Sequence, residues 1–202
     1  MDIGKRKEEL ASTWKELRGQ RSRLPLAPDG AGGSGELERL LDRAEAELLE
    51  PEAAETGGEE RLRLLALVSG LHLWNGSLDR SHELAQNLDT TEGSYLHGMM
   101  HRMEGDYGNA NYWFRVAGGH PDAQRLQAEA IKLADGGGIA DEALVRKLKR
   151  GAEWNAALLT DLSAASSLTG HASPETQLLE QLQALELSAL LDRLAGIGSR
   201  LA

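Results

Sequence analysis

Between Glu36 and Glu50 the apolar residues fall at Leu37, Leu40, Leu41, Ala44, Leu48 and Leu49, a spacing of three and four that an α-helix gathers on one face. The same spacing recurs along most of the chain, carried by Ala, Leu, Glu and Arg, all ready helix formers. Period-two alternation and runs of Val, Ile, Thr or aromatics, the signals of strands, do not occur. The chain is therefore read as all-α.

A first helix is expected over about Lys5 to Arg21, stopped by LPLAPDGAGGSG (Leu24 to Gly35), whose Pro and Gly content marks a linker. Residues 1–35 are taken as an N-terminal helix plus linker, and residues 36–202 as a single all-α domain. The helix from Glu36 ends at Pro51, and EPEAAETGG is read as a loop. Gly136-Gly137-Gly138 breaks the chain again and sets off a C-terminal helical pair within 139–202, expected over Asp141 to Ser166 and Pro174 to Leu194. The latter opens with Ser173 as cap and Pro174 at the first helical position.

A chain of 202 residues can bury a core without staples, and with no cysteine it can form no disulfide, thiolate zinc site or cysteine nucleophile. No stretch has the length and apolarity to cross a bilayer, and the N-terminus lacks the apolar region of a signal peptide. The expectation is a cytoplasmic protein with no membrane partner. A net charge of −10 argues against nucleic acid as a partner, because phosphate contacts need a basic face. Residues 1–23 run the other way, with seven basic groups against four acids, and are read as a solvated helix.

The segment from Glu59 to Ala134 is different in character. Five of the six histidines and six of the eight aromatics lie between His72 and His120. Sliding the segment by 29 residues pairs Leu67 with Leu96, Ser69 with Gly98, His72 with His101, Gly76 with Gly105, Leu78 with Tyr107 and Ser81 with Ala110. Each unit reads as helix, glycine turn, helix, with the small residues twelve apart marking where antiparallel helices approach closely. Gly98, Gly105-Asp106-Tyr107, Ala110, Trp113-Phe114, Ala117 and Gly119-His120-Pro121 resemble the tetratricopeptide and Sel1-like repeat pattern. This resemblance implies two antiparallel helical hairpins over residues 59–134, with flanking helices packed on both sides. It also implies that the first helices face a binding groove, exposing some of Arg63, Trp74, Tyr95, Met99, Arg102 and Met103. The places of His97 and His101 usually hold a leucine and a tyrosine in such repeats, which makes them interior positions.

The block also resembles the signature of a family of bacterial and fungal proteins that share W-N-x-x-L-D-x-S-H, then H-G-x-x-H-R-x-E-G-D-[YF]-x-N-[AS]-x-[YW]-W-F, then H-P. Here these are Trp74 to His82, His97 to Phe114, and His120-Pro121. That resemblance implies no activity.

His97 and His101 are four apart on one expected helix, and Glu104 follows three later on the same face. Two imidazoles and a carboxylate at this spacing can hold a divalent metal, with His82, Asp79, Asp106 or His120 completing the set. An open coordination position would activate water for hydrolysis. The competing reading is a buried hydrogen-bond network, since imidazoles on an inward face need partners. Ser81 lacks a nucleophile elbow, and the Gly-rich runs lack the strand-to-helix context of phosphate loops.

The leading expectation is a non-enzymatic binding or scaffold protein needing no cofactor, with a pocket around His72, Tyr95, His97, His101, Arg102 and Trp113 for a protein, a peptide or a small anionic ligand. The alternative is a metal-dependent hydrolase using His97, His101, Glu104 and His82 on a divalent metal. A third reading makes the block a structural core in a homo-oligomer, marked by an exposed stripe of Leu187, Leu190, Leu191 and Leu194.

Overall fold

Leu178, Leu179, Leu182, Leu187, Leu190, Leu191 and Leu194 cover more than half of the circumference of one helix, α11 (Pro174–Leu194), and all are buried. A helix apolar over so wide an arc has to sit between two sets of neighbours. The computed structural model describes residues 2–28, 33–136, 142–167 and 173–198, with Ala54, Thr56 and Ala143 described by backbone alone. Among these residues there are eleven helices and no strand.

Two apolar clusters meet at α11. The first joins α1 (Ile3–Leu17), α2 (Gly35–Leu49), α4 (Gly58–Asn75), α5 (Leu78–Ala85), α6 (Thr91–Glu104) and α7 (Tyr107–Ala117), through Leu10, Trp14, Leu41, Leu67 and Leu96 among others. The second joins α8 (Ala123–Gly136), α9 (Glu142–Lys149) and α10 (Ala156–Ser167) through Leu126, Leu144, Leu148, Trp154 and Leu159. The short α3 (Pro51–Thr56) links α2 to α4. The leucine stripe proposed as an oligomer surface thus faces the core: Leu187, Leu190, Leu191 and Leu194 are at most 2% exposed.

The 29-residue correspondence has a physical basis in the two turns. Gly76 and Gly105 take left-handed backbone, with φ of 83° and 88°. In each turn the next amide reaches back five residues, Ser77 N–H to the His72 carbonyl and Asp106 N–H to the His101 carbonyl, both at 2.9 Å. This is the Schellman closure, which glycine adopts without a Cβ penalty. The small residues do allow close approach. Ser69 Oγ lies 3.0 Å from Ser81 Oγ, and a Cβ on Gly98 would stand 2.9 Å from the Phe114 ring.

Three sequence readings are corrected. EPEAAETGG is not wholly loop, because Pro51 starts the short α3 at its first helical position. The single helix expected over Asp141 to Ser166 is two, α9 and α10, interrupted around Gly151. Trp154 is pulled into the second cluster there, and Asn155 Oδ1 accepts from Leu158 N–H to start α10. Residue Asp141 and glycines Gly137 and Gly138 lie outside the described residues.

The third correction concerns residues 1–28, which are not set apart from the rest. Leu10 and Trp14, four apart, are fully buried; Trp14 Nε1 donates to Asp192 at 2.8 Å, and Arg18 pairs with the same carboxylate at 3.0 Å. Beyond α1 the chain is pinned to α11 by Leu24 N–H to the Glu180 carbonyl and by Gln183 Nε2 to the Pro25 carbonyl.

Candidate metal centre

Thr90 caps α6, its Oγ1 accepting from Gly93 N–H at 3.0 Å, and the helix packs against α4, α5 and α7 and is bonded to α11 through side chains. At about 100° per residue, Tyr95, Met99 and Arg102 form one face and His97, His101 and Glu104 nearly the opposite one. The sequence places all six on one helix; the partners decide what each face does.

The histidine face meets α5 and α7. His82 on α5 comes to 4.8 Å from His97 and 5.4 Å from His101, ring centre to ring centre, and His97 and His101 stack at 4.8 Å. One donor nitrogen from each of the three lies within 4.8 Å of the others. Trp113 from α7 stacks on His97 at 4.1 Å, nearly parallel. His97 is buried and neither of its nitrogens has a hydrogen-bond partner, whereas His82 is only half-buried. Burial, reinforced by the charges His101 and His82 would carry, pushes the His97 imidazole down to about 4, so it stays neutral with a free lone pair at ordinary pH.

Glu104 Oε2 sits 3.3 Å from His101 Nδ1, and its side chain is largely exposed. With Nδ1 protonated toward this carboxylate, Nε2 is left as the donor, the arrangement that orients metal-binding histidines. Glu104 therefore stands behind His101 and outside the donor triangle. Tetrahedral coordination at about 2.0–2.1 Å sets donor nitrogens about 3.3 Å apart, so the three rings must close by at most about 1.5 Å, within reach of side-chain rotation. The donor set, imidazole nitrogen only, suits Zn²⁺, Cu²⁺ or Ni²⁺ and not Mg²⁺ or Ca²⁺.

The other sequence candidates do not join this cluster. Tyr95 and Arg102 are buried on the opposite face in a network centred on Glu186 of α11. Tyr95 Oη donates to Glu186 Oε1 at 2.5 Å, Trp154 Nε1 to the same oxygen at 2.7 Å, Arg102 Nη2 to Oε2, and Arg102 Nε to Gln183 at 2.9 Å. Burial and the Glu186 charge hold the Tyr95 phenol well above its usual range. His120 packs edge-on against Tyr95 at 5.1 Å, and its Nδ1 accepts from Asp122 N–H. His72 is elsewhere again, fully buried, with Glu38 at 3.6 Å from Nδ1 and Glu45 at 3.9 Å from Nε2. Asp79 is exposed, and Asp106 is spent capping α7 through Asn109.

The open groove is corrected as well. Trp74, Tyr95, Met99, Arg102 and Met103 are at most 2% exposed, because α1 covers Trp74 and α11 covers the α6 face. A cavity of about 650 Å³ remains beside Arg63, but Arg63 is paired with Glu60 and bonded to the Arg193 carbonyl, and Arg193 faces Glu92. Each arginine there already has a carboxylate partner.

Comparison with family models, with curated proteins and with solved structures finds no match.

Proposed function

We propose that this protein is a helical scaffold that binds one divalent transition-metal ion through His82, His97 and His101, carried on a tetratricopeptide-like pair of hairpins. The observation that carries the reading is the convergence of three imidazole donors, one of them buried with both nitrogens unpartnered. A buried polar group without a partner is costly, and a metal ion would satisfy it. Glu104 supports the reading by fixing the tautomer of His101.

The hydrolase alternative would use the same three ligands. Of the carboxylates that could serve it as general base, Glu104 is turned to His101 Nδ1 and Asp106 caps α7 through Asn109. A binding role is therefore preferred. The peptide or anion groove is the weaker reading, since the side chains that would line it are buried.

The test is metal content of untagged protein, paired with thermal unfolding with and without EDTA. One equivalent of metal is expected, with EDTA lowering Tm in the native protein and leaving His82→Ala unchanged. His82 is half-buried, so that variant removes a donor without opening the core. Metal-free protein that takes up neither Zn²⁺ nor Cu²⁺ and ignores EDTA would sink the reading.

A further inference from the structure

Three protein donors leave a tetrahedral ion one position short, and the structure indicates what reaches it. The centre's open side is the one where His82 is half-buried. Its rim carries Asp79, one turn before His82 on α5, then Glu104 on His101 Nδ1, and Asp106, whose amide bonds the His101 carbonyl. All three carboxylates are exposed.

The nearby cations among the described residues offset them only in part. Arg102 is buried against Glu186 and Arg80 is shared by Asp42, Glu45 and Glu83, which leaves Arg115, bonded to the neutral Asn111 carbonyl, as one positive charge against three carboxylates. Beside the carboxylates stands an aromatic wall, Trp113 on His97 with Tyr112 edge-on to it at 5.4 Å and 51% exposed. A negative rim repels approaching anions, and an aromatic face favours flat, neutral or cationic groups.

On the metal-centre reading above, we propose that the fourth coordination position takes an exogenous neutral nitrogen donor, an imidazole or an unprotonated amine, in preference to a carboxylate or other anion. The incoming nitrogen replaces a bound water, with no change of oxidation state. Trp113 is already stacked on His97, so the exposed Tyr112 ring is the aromatic surface left for an incoming imidazole, and the rim raises the local concentration of the protonated form, which gives up its proton on binding.

The test uses the full chain loaded with Co²⁺, whose visible bands report coordination number and ligand type. Imidazole, acetate and azide are titrated separately. Imidazole is expected to shift the bands at a concentration at least tenfold below that needed by acetate or azide, and in Asp79→Lys this preference should narrow at least threefold. Equal or stronger response to acetate or azide overturns the proposal, as do bands indifferent to all three probes and an unchanged preference in Asp79→Lys. Failure of Co²⁺ to bind at all would overturn the metal centre itself, a result distinct from binding without a fourth ligand.

Discussion

Replacing Glu186 by Gln removes one charge and almost no volume, yet it should be among the most damaging single changes in the chain. Glu186 is fully buried and receives three donors, the Tyr95 hydroxyl, the Trp154 indole N–H and the Arg102 guanidinium. A glutamine offers one acceptor oxygen where the carboxylate offers two. If that oxygen keeps Arg102, the amide NH₂ confronts Tyr95 and Trp154; the phenol can turn to accept, but the indole cannot. One orphaned buried donor costs about 1–3 kcal/mol, and a buried guanidinium without its counter-charge costs about 3–5 kcal/mol. The sum, roughly 4–8 kcal/mol, is comparable with the whole stability of a typical domain. Urea unfolding followed by far-UV circular dichroism should show Glu186→Gln largely unfolded or with its midpoint sharply lowered. Adding Arg102→Met should then restore at least half of the loss, because the unpaired charge is gone. A Glu186→Gln protein within about 1 kcal/mol of native, or a double variant no better than the single, would refute the reasoning.

Saturating metal at a hundred times Kd should stabilise the protein by about 2.7 kcal/mol, raising Tm by about 5–10 °C in calorimetry, and His97→Ala should abolish the rise. Burial, outweighing Glu38, lowers His72 from 6.5 to about 4, so its stabilising contribution is complete above pH 6.5 and is lost as pH falls toward 4. The loss is at most about 3 kcal/mol, and urea midpoints of native and His72→Gln protein across pH 4–7 should isolate it from the other buried imidazoles. Gly98→Ala should destabilise by about 1–3 kcal/mol despite its better helix propensity, since the new Cβ meets the Phe114 ring; Phe114→Leu in the same chain should recover part of it, read by thermal unfolding.

What could be read from the sequence was local. Leucine spacing located most helices, Ser173-Pro174 marked the start of α11, and the paired glycines Gly76 and Gly105 marked the hairpin turns. His97 and His101 were legible as neighbours because a helix brings i and i+4 together. His82 was one of four residues able to complete the set and the one taken into the hydrolase reading, and packing of α5 on α6 is what brings it to the pair. The Glu186 network had no local signal: its pairs lie 32 to 91 residues apart, and Glu186 looked like any acid on an amphipathic helix. Gly151 with Asn155 could have shown the break between α9 and α10, as a helix-breaking residue followed by a capping one. The same pairing of long-range partners explains why Arg102 was misread as a groove residue.

The two faces of α6 belong to one argument. Glu186 and Gln183 fasten Arg102 and Tyr95 to α11, so α6 is held through its buried face, and His97 and His101 inherit a fixed position on the other. His82 lies on α5, which has only eight residues and is held by the Ser69–Ser81 bond and the partly exposed Arg80 pairs and not by a buried ion pair like that of Arg102 and Glu186. A metal ion would therefore find two donors already placed and draw the third to them, tying α5 to α6 across the hairpin boundary. Its effect should be concentrated in α5: amides from Leu78 to Ala85 should gain hydrogen-exchange protection on metal addition, while those of α11 should change little. Uniform protection across both helices would mean that the ion stabilises the fold as a whole, and equal protection without metal would mean that α5 needs no tie.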